Sequence, residues 1–256
     1  MAKKKAEGGG SEAAERAMEL LWGVRREPGR GPKRGRRIED IVEAAVGLAD
    51  EEGLEALSMR RVADQLEVGA MSLYTYVPGK TELVELMVDA VLGEAELPHG
   101  TSGWRAGLEQ YARESWGICH RHPWILQVSS SRGLMGPNQA AMLDSVLRSV
   151  SGIGLSEQEM VYVYLVVEGY VRGAAKTSVE ATQLEDDSGI SDEQWWSLYG
   201  PLVYKYTDRD HYPTLTGISW DWAFGEEDDP FGFGLQRVLD GIDAFVRARS
   251  GRTERG

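Results

Sequence analysis

Nine residues, Gly29 to Arg37, read GRGPKRGRR and carry five cations. Glycine and proline keep such a segment extended and unable to pack, so Arg30, Lys33, Arg34, Arg36 and Arg37 are available to a polyanion. Arginines in that setting suit the narrow minor groove of A·T-rich DNA, where the negative potential is deepest. Further on, SMRRVADQLEVGAMSLYTYVPGK, Ser58 to Lys80, gathers small, hydroxylated and aromatic residues around two arginines. Ala70, Met71, Ser72, Thr75 and Tyr76 fall on the exposed side and N-terminal end of a short helix, with Leu73 and Val77 facing inward. Ser72 and Thr75 offer hydroxyls to base edges or phosphates, and Met71 an apolar contact for a thymine methyl. Tyr74 and Tyr76 offer phenols to phosphates, and Arg60 is the best candidate for a guanine. Lys80, with the free amides of Thr81 and Glu82, forms a candidate phosphate clamp at a helix start. This chemistry is recognition of a duplex, not bond making.

Two other constellations could in principle do chemistry. CHRH, Cys119 to His122, offers metal ligands or a Cys-His nucleophile, but neighbouring residues on a helix point in different directions and a second half of the ligand set is missing. The acidic run Glu226 to Asp229 lacks the alternate spacing and glycine of a calcium loop. No catalytic residue, metal site or cofactor is therefore expected. The single cysteine excludes an intramolecular disulfide framework.

The elements that must position the DNA-reading residues follow from periodicity. Ile38, Ile41, Val42, Ala45, Leu48 and Ala49 share one helical face, which Gly53 ends as a left-handed cap. Ser58 is an N-cap for a second helix carrying Val62, Ala63 and Leu66. The third segment, AMSLYTYV, follows within four residues and stops before Pro78-Gly79. Two short helices so tightly joined and buttressed by a third form a helix-turn-helix unit, whose second helix enters the major groove. Upstream, AAERAMELLWGV forms a short amphipathic stretch with Leu20, Leu21 and Trp22 able to dock on the body. Beyond Thr101 the chain reads as helices: one from Trp104 that breaks at Pro123, one from Asn138 to Val150, and a long one behind the capping box SEQEM at Ser156. Two more follow, Ser191–Tyr206 and Phe231–Arg249. The stretch from 208 to 230 reads as a long acidic loop.

Charge is segregated: residues 1–37 carry a net +6 and residues 38–256 a net −19, within a chain of net −13. Residues 38–80 alone hold three basic and nine acidic residues. A surface so composed needs help in approaching phosphate, and the basic arm supplies it. With 42% hydrophobic residues the chain can bury a full core. It has no run near the roughly 20 apolar residues of a membrane span, and its first lysines are followed by no apolar segment, so a cytoplasmic protein without a membrane partner is expected.

Residues 38 to 92, and SMRRVADQL with SLYTYVPGKTEL above all, resemble the DNA-binding domain of TetR-family transcriptional regulators. FGFGLQRVLDGIDAFV at 231–246 and RHPW at Arg121 resemble the C-terminal domain of the branch that includes the tetracycline repressor. Glu67 departs from the pattern, standing where the family usually has glycine in the turn. The resemblance implies an all-α protein with a three-helix helix-turn-helix DNA-binding domain, 38–92, and a helical ligand-binding and dimerisation domain, 93–256; ahead of them the composition marks residues 1–37 as a basic flexible N-terminal arm. It implies the same DNA-contacting residues as the reading above. It further implies a homodimer closed by a four-helix contact, for which Tyr170, Arg172, Phe231, Leu235, Val238, Leu239, Ile242 and Phe245 are the candidates.

Seven of the eight tryptophans lie beyond residue 100. A pocket for a small hydrophobic inducer would be apolar and aromatic with a few polar groups. Trp104, His120, Trp124, Met135, Met142, Tyr164 and Glu168 are the candidate lining. The function expected is a ligand-responsive homodimeric repressor of operator DNA. The competing reading is an architectural or recruiting DNA-binding protein without a sensor, which no small molecule would release. Neutralising Arg30, Lys33, Arg34, Arg36 and Arg37 together removes up to ten charges from a dimer. At about 0.9 per phosphate contact, half engagement would flatten the slope of log affinity against log salt by about 4 to 5 units. An unchanged slope in a salt titration of operator binding would return the arm to a solvated tail.

Overall fold

The apolar stripe Ile41, Val42, Ala45, Leu48 and Ala49 is buried on α2 (Ile38–Glu52), and Gly53 turns the chain out of that helix at φ 81°. This computed structural model describes residues 14–23, 38–98, 103–129, 133–217 and 229–253, in which every regular element is helical. The cations Arg30, Lys33, Arg34, Arg36 and Arg37 fall outside the described residues, so the arm remains a reading of the sequence.

Ahead of α2, residues 14–21 form a helix, α1. Its Leu20 and Leu21 are buried, and the indole of Trp22 donates to the Met135 carbonyl at 3.1 Å. This part of the N-terminal segment is thus docked on the body through the residues its amphipathic pattern offers. Burial of two leucines, each contributing about 1.5–3 kcal/mol, holds it there.

α3 (Met59–Gln65) starts from Ser58, whose Oγ accepts from the Arg61 amide, and α4 (Ala70–Leu73) follows. The turn between them has one unusual backbone: Glu67 at φ 55°, the only non-glycine with positive φ among the described residues. Gly69 instead sits at φ −70°, as the extended residue before α4. The glutamate itself therefore takes the left-handed bend. α5 (Lys80–Leu92) packs against α2 and carries the chain toward the second unit.

That unit comprises α6 (Trp104–Arg121), a 3₁₀ turn (Pro123–Gln127), α7 (Pro137–Ser149), α8 (Glu157–Ser188), α9 (Asp192–Tyr206), α10 (Pro213–Thr216) and α11 (Pro230–Thr253). The capping box at Ser156 forms as the sequence requires, with Glu159 returning to the Ser156 amide at 2.8 Å. Gly189, at φ 68°, ends the 32-residue α8. Within the stretch expected to be loop, 213–216 is helical, and 218–228 lies outside the described residues. α6, α8 and α11 pack on one another.

One substitution tests the helix-turn-helix turn. A side chain held in the left-handed region costs about 1 kcal/mol relative to glycine. Glu67→Gly should raise the thermal midpoint by about 2–4 °C, read by circular dichroism, with DNA affinity preserved. A lowered midpoint would show that Glu67 contributes a contact worth more than its strain.

Candidate DNA interface and ligand cavity

The two arginines of SMRR face different ways. Arg61 reaches back to Glu52 and the Ala56 carbonyl, tying α3 to the end of α2. Arg60 projects outward with a side chain 86% exposed, and its nearest counter-charge is Asp64 at 3.9 Å, one turn along α3. On α4, Met71 is 78% exposed, and Ser72, Tyr74 and Thr75 are exposed beside it. Leu73 and Val77 are buried beneath. Ala70 and Tyr76 are half-buried and pack on the core. The Thr75 hydroxyl donates to the Ser72 carbonyl at 2.6 Å, which closes the short helix. Lys80 donates from Nζ to the Leu54 carbonyl at 3.1 Å and so braces the start of α5 against the α2–α3 turn. Arg60 and the α3–α4 side chains together make a small-residue surface rimmed by phenols.

A cavity of about 280 Å³ lies between α5, α6, α7 and α8. Four of the seven residues expected at a pocket meet there: Met135, Met142, Tyr164 and Glu168. The other three do not line it. Trp124 is buried, donating from Nε1 to Asp50 Oδ1 at 2.7 Å. His120 points to Ser178 at 3.0 Å and lies against Trp116. Trp104 packs on the core at the start of α6. At the end of α6 consecutive side chains diverge: Cys119 faces the cavity, His120 α8 and Arg121 Glu94, and the capping His122 meets Asp50 and Glu94. Burial pushes the Cys119 thiol up to about 11, so it is a neutral apolar wall and not a nucleophile.

One wall of the cavity comes from a helix outside the expected lining. Glu85, Val88 and Leu92 of α5 line the cavity, at spacings of three and four residues that define one helical face. Leu83, Met87 and Val91, buried, form a second stripe on α5 turned away from it. That double apolar pattern was visible in the sequence. Arg172, expected at a dimer contact, is also a cavity residue; its Nη2 donates to the carbonyls of Ile125, Leu126 and Val128 at 3.2–3.4 Å. Across the cavity the Tyr111 hydroxyl donates to Glu168 Oε2 at 2.6 Å. Burial, then the Glu168 charge, raises the Tyr111 phenol well above its usual value. Desolvation also raises the Glu85 carboxyl.

The candidate dimer residues divide as well. Phe231, Leu235, Leu239 and Ile242 of α11 are buried within this one chain, Phe231 stacked between Trp116 and Tyr170. The Tyr170 hydroxyl donates to the Phe231 carbonyl at 2.7 Å. They are core, because α11 must bury one stripe on α6 and α8 before any partner arrives. Phe245 remains exposed and Val238 half-buried, beside Tyr162 and Val166 of α8.

The family description "Bacterial regulatory proteins, tetR family" matches residues 41–87, and "Tetracyclin repressor-like, C-terminal domain" matches residues 96–246. The chain belongs to the TetR family. It is 44% identical to the HTH-type transcriptional repressor DrrR1 of Streptomyces coeruleorubidus, over 95% of this chain and 91% of that protein. ActR of Streptomyces coelicolor in its apo form is similar in structure, with a TM-score of 0.70 and 25% identity over 87% of this chain and 100% of ActR. ActR in complex with actinorhodin gives a TM-score of 0.70 at 26% identity, over 83% of this chain and 97% of that one. As a TetR-family regulator the protein is not an enzyme, and its fold is helical with an N-terminal helix-turn-helix domain. No helix of the described residues is long and apolar enough to cross a membrane.

Arg60, as the outward arginine of α3, gives a sharp test. Arg60→Ala should weaken specific binding by about 1–3 kcal/mol and relax base preference at one position per half-site. Equal loss on every sequence in a binding-site selection would reduce Arg60 to a phosphate contact.

Proposed function

We propose that the protein is a homodimeric repressor whose α3–α4 surface and basic arm hold operator DNA, and which a small molecule entering the α5–α8 cavity releases. The observation that carries this reading is the shared wall: the cavity is lined by α5, the last helix of the DNA-binding unit, as well as by α6, α7 and α8. A molecule that fills it acts on α5 directly, and differential affinity for two positions of that helix is all that release requires. Arg60, Ala70, Met71, Ser72, Tyr74, Thr75, Tyr76 and Lys80 serve the operator, with Arg30, Lys33, Arg34, Arg36 and Arg37 of the arm beside them. Met135, Met142, Tyr164 and Glu168 serve the ligand, joined by Glu85 and Arg172. ActR, similar in fold, has been solved holding actinorhodin, which supports a ligand at the corresponding unit here.

A second copy supplies symmetry. Tyr162 and Val166 of α8 and Phe245 of α11 are 54%, 54% and 42% exposed around one groove, an apolar surface that self-association would cover.

The decisive experiment screens hydrophobic natural products for release of a mapped operator fragment. A releasing compound should bind 5- to 150-fold more weakly when operator is present, a coupling of about 1–3 kcal/mol. Compounds that raise the melting temperature yet leave operator affinity untouched would favour the architectural reading. Separately, Val166→Glu should give a folded monomer by sedimentation, because the side chain lies on the protomer surface; a persistent dimer would move the interface elsewhere.

A further inference from the structure

The cavity is apolar in area but unbalanced in charge. Two carboxylates, Glu85 and Glu168, line it against one guanidinium, Arg172. The three groups are not equally available. Arg172 Nη2 is taken by the carbonyls of Ile125, Leu126 and Val128, so this cation is engaged in holding the 3₁₀ turn against α8. Glu85 accepts the Leu134 amide at 3.2 Å, which fastens the 133–136 segment to α5. Glu168 has a single hydrogen-bond donor among the described residues, the Tyr111 hydroxyl on Oε2, which leaves Oε1 without one. A carboxylate in an apolar enclosure with one neutral donor is undersatisfied, and a cation is its strongest complement.

The neighbours of Glu168 add to this. The rings of Tyr111 and Tyr164 stand 5.8 Å apart at 46° beside it, and aromatic faces attract a cation through their quadrupoles. Most of the remaining wall is aliphatic or thioether, with Val88, Leu92, Ile118, Met135 and Met142 suited to a flat hydrophobic body, and Ser115, Ser129 and Gln139 add neutral polar groups.

We propose that the cavity selects a flat hydrophobic molecule bearing a protonated amine, with the amine paired to Glu168 beside the tyrosine pair. This rests on the reading of the cavity as the ligand site and adds the chemical class of the ligand. Glu168 is then the specificity-determining group, and Glu85 contributes a longer-range negative field from the opposite wall.

Three probes with one ring system isolate the charge: aminomethylanthracene, methylanthracene and anthracene carboxylate, cationic, neutral and anionic at neutral pH. Binding is read in the absence of DNA by energy transfer from tryptophan to anthracene. The cation should bind at least about ten-fold more tightly than the neutral probe, and the anion most weakly. Glu168→Gln, which keeps an acceptor for Tyr111, should abolish the preference for the cation, bringing the cationic and neutral probes to equal affinity. Equal binding of all three, or tightest binding of the anion, would overturn the charge selection and leave the cavity a ligand site chosen by shape. A cation preference that survives in Glu168→Gln and is lost in Glu85→Gln would overturn the assignment to Glu168. Failure of all three probes to bind would overturn the reading of the cavity as a ligand site, and this proposal with it.

Discussion

α5 is apolar on two faces, and the rest of the molecule is arranged around that constraint. Leu83, Met87 and Val91 occupy one stripe and are buried, while Val88 and Leu92, with Glu85, line the cavity on another. A surface helix needs one apolar face; a helix with two must be packed from both sides. α5 therefore packs on α2, which completes the DNA-binding unit, and on α6 and α7, which begin the second. The cavity exists because α7 and α8 close over the second face without filling it.

Carboxylates fix the seam between the units. Asp50 of α2 accepts from Trp124 at 2.7 Å and lies 2.8 Å from His122, whose other ring nitrogen faces Glu94. Asp89 of α5 is buried and accepts the amides of Asn138 and Gln139, serving as an external cap for α7. Gly136 must lack a side chain there, since a Cβ would meet Asp89 Oδ1 at 2.2 Å. Part of the acid excess of residues 38–80 is thereby explained: Asp50 is directed at the second unit, and Glu52 is paired with Arg61. The charge balance facing DNA is less acidic than the composition of the segment.

Local signals in the sequence were reliable where they rest on local physics. The α2 stripe with Gly53, the Ser58 cap and the Ser156 capping box follow from the residues themselves, as does the exposure of Arg60 and Met71. Residues whose role depends on packing between distant helices were harder to read. Tryptophans at 104, 116 and 124 suggested an aromatic pocket but serve as packing between elements, and tyrosines supply the aromatic wall instead. Arg172 gave no local sign of turning toward the 3₁₀ turn, and Leu239 gave none of being core of its own chain and not of an interface. α1 was legible as amphipathic, but the Trp22 bond to Met135, a residue of the cavity wall, joins positions 113 apart.

If the shared wall on α5 couples cavity to operator, filling the cavity must move the DNA-reading helices. Double electron–electron resonance between spin labels at Met71→Cys in the two protomers, with Cys119→Ala to leave one labelling site, measures their separation. Saturation with aminomethylanthracene should shift the distance distribution away from that of the free protein. An unchanged distribution in protein with the probe demonstrably bound would contradict the coupling through α5.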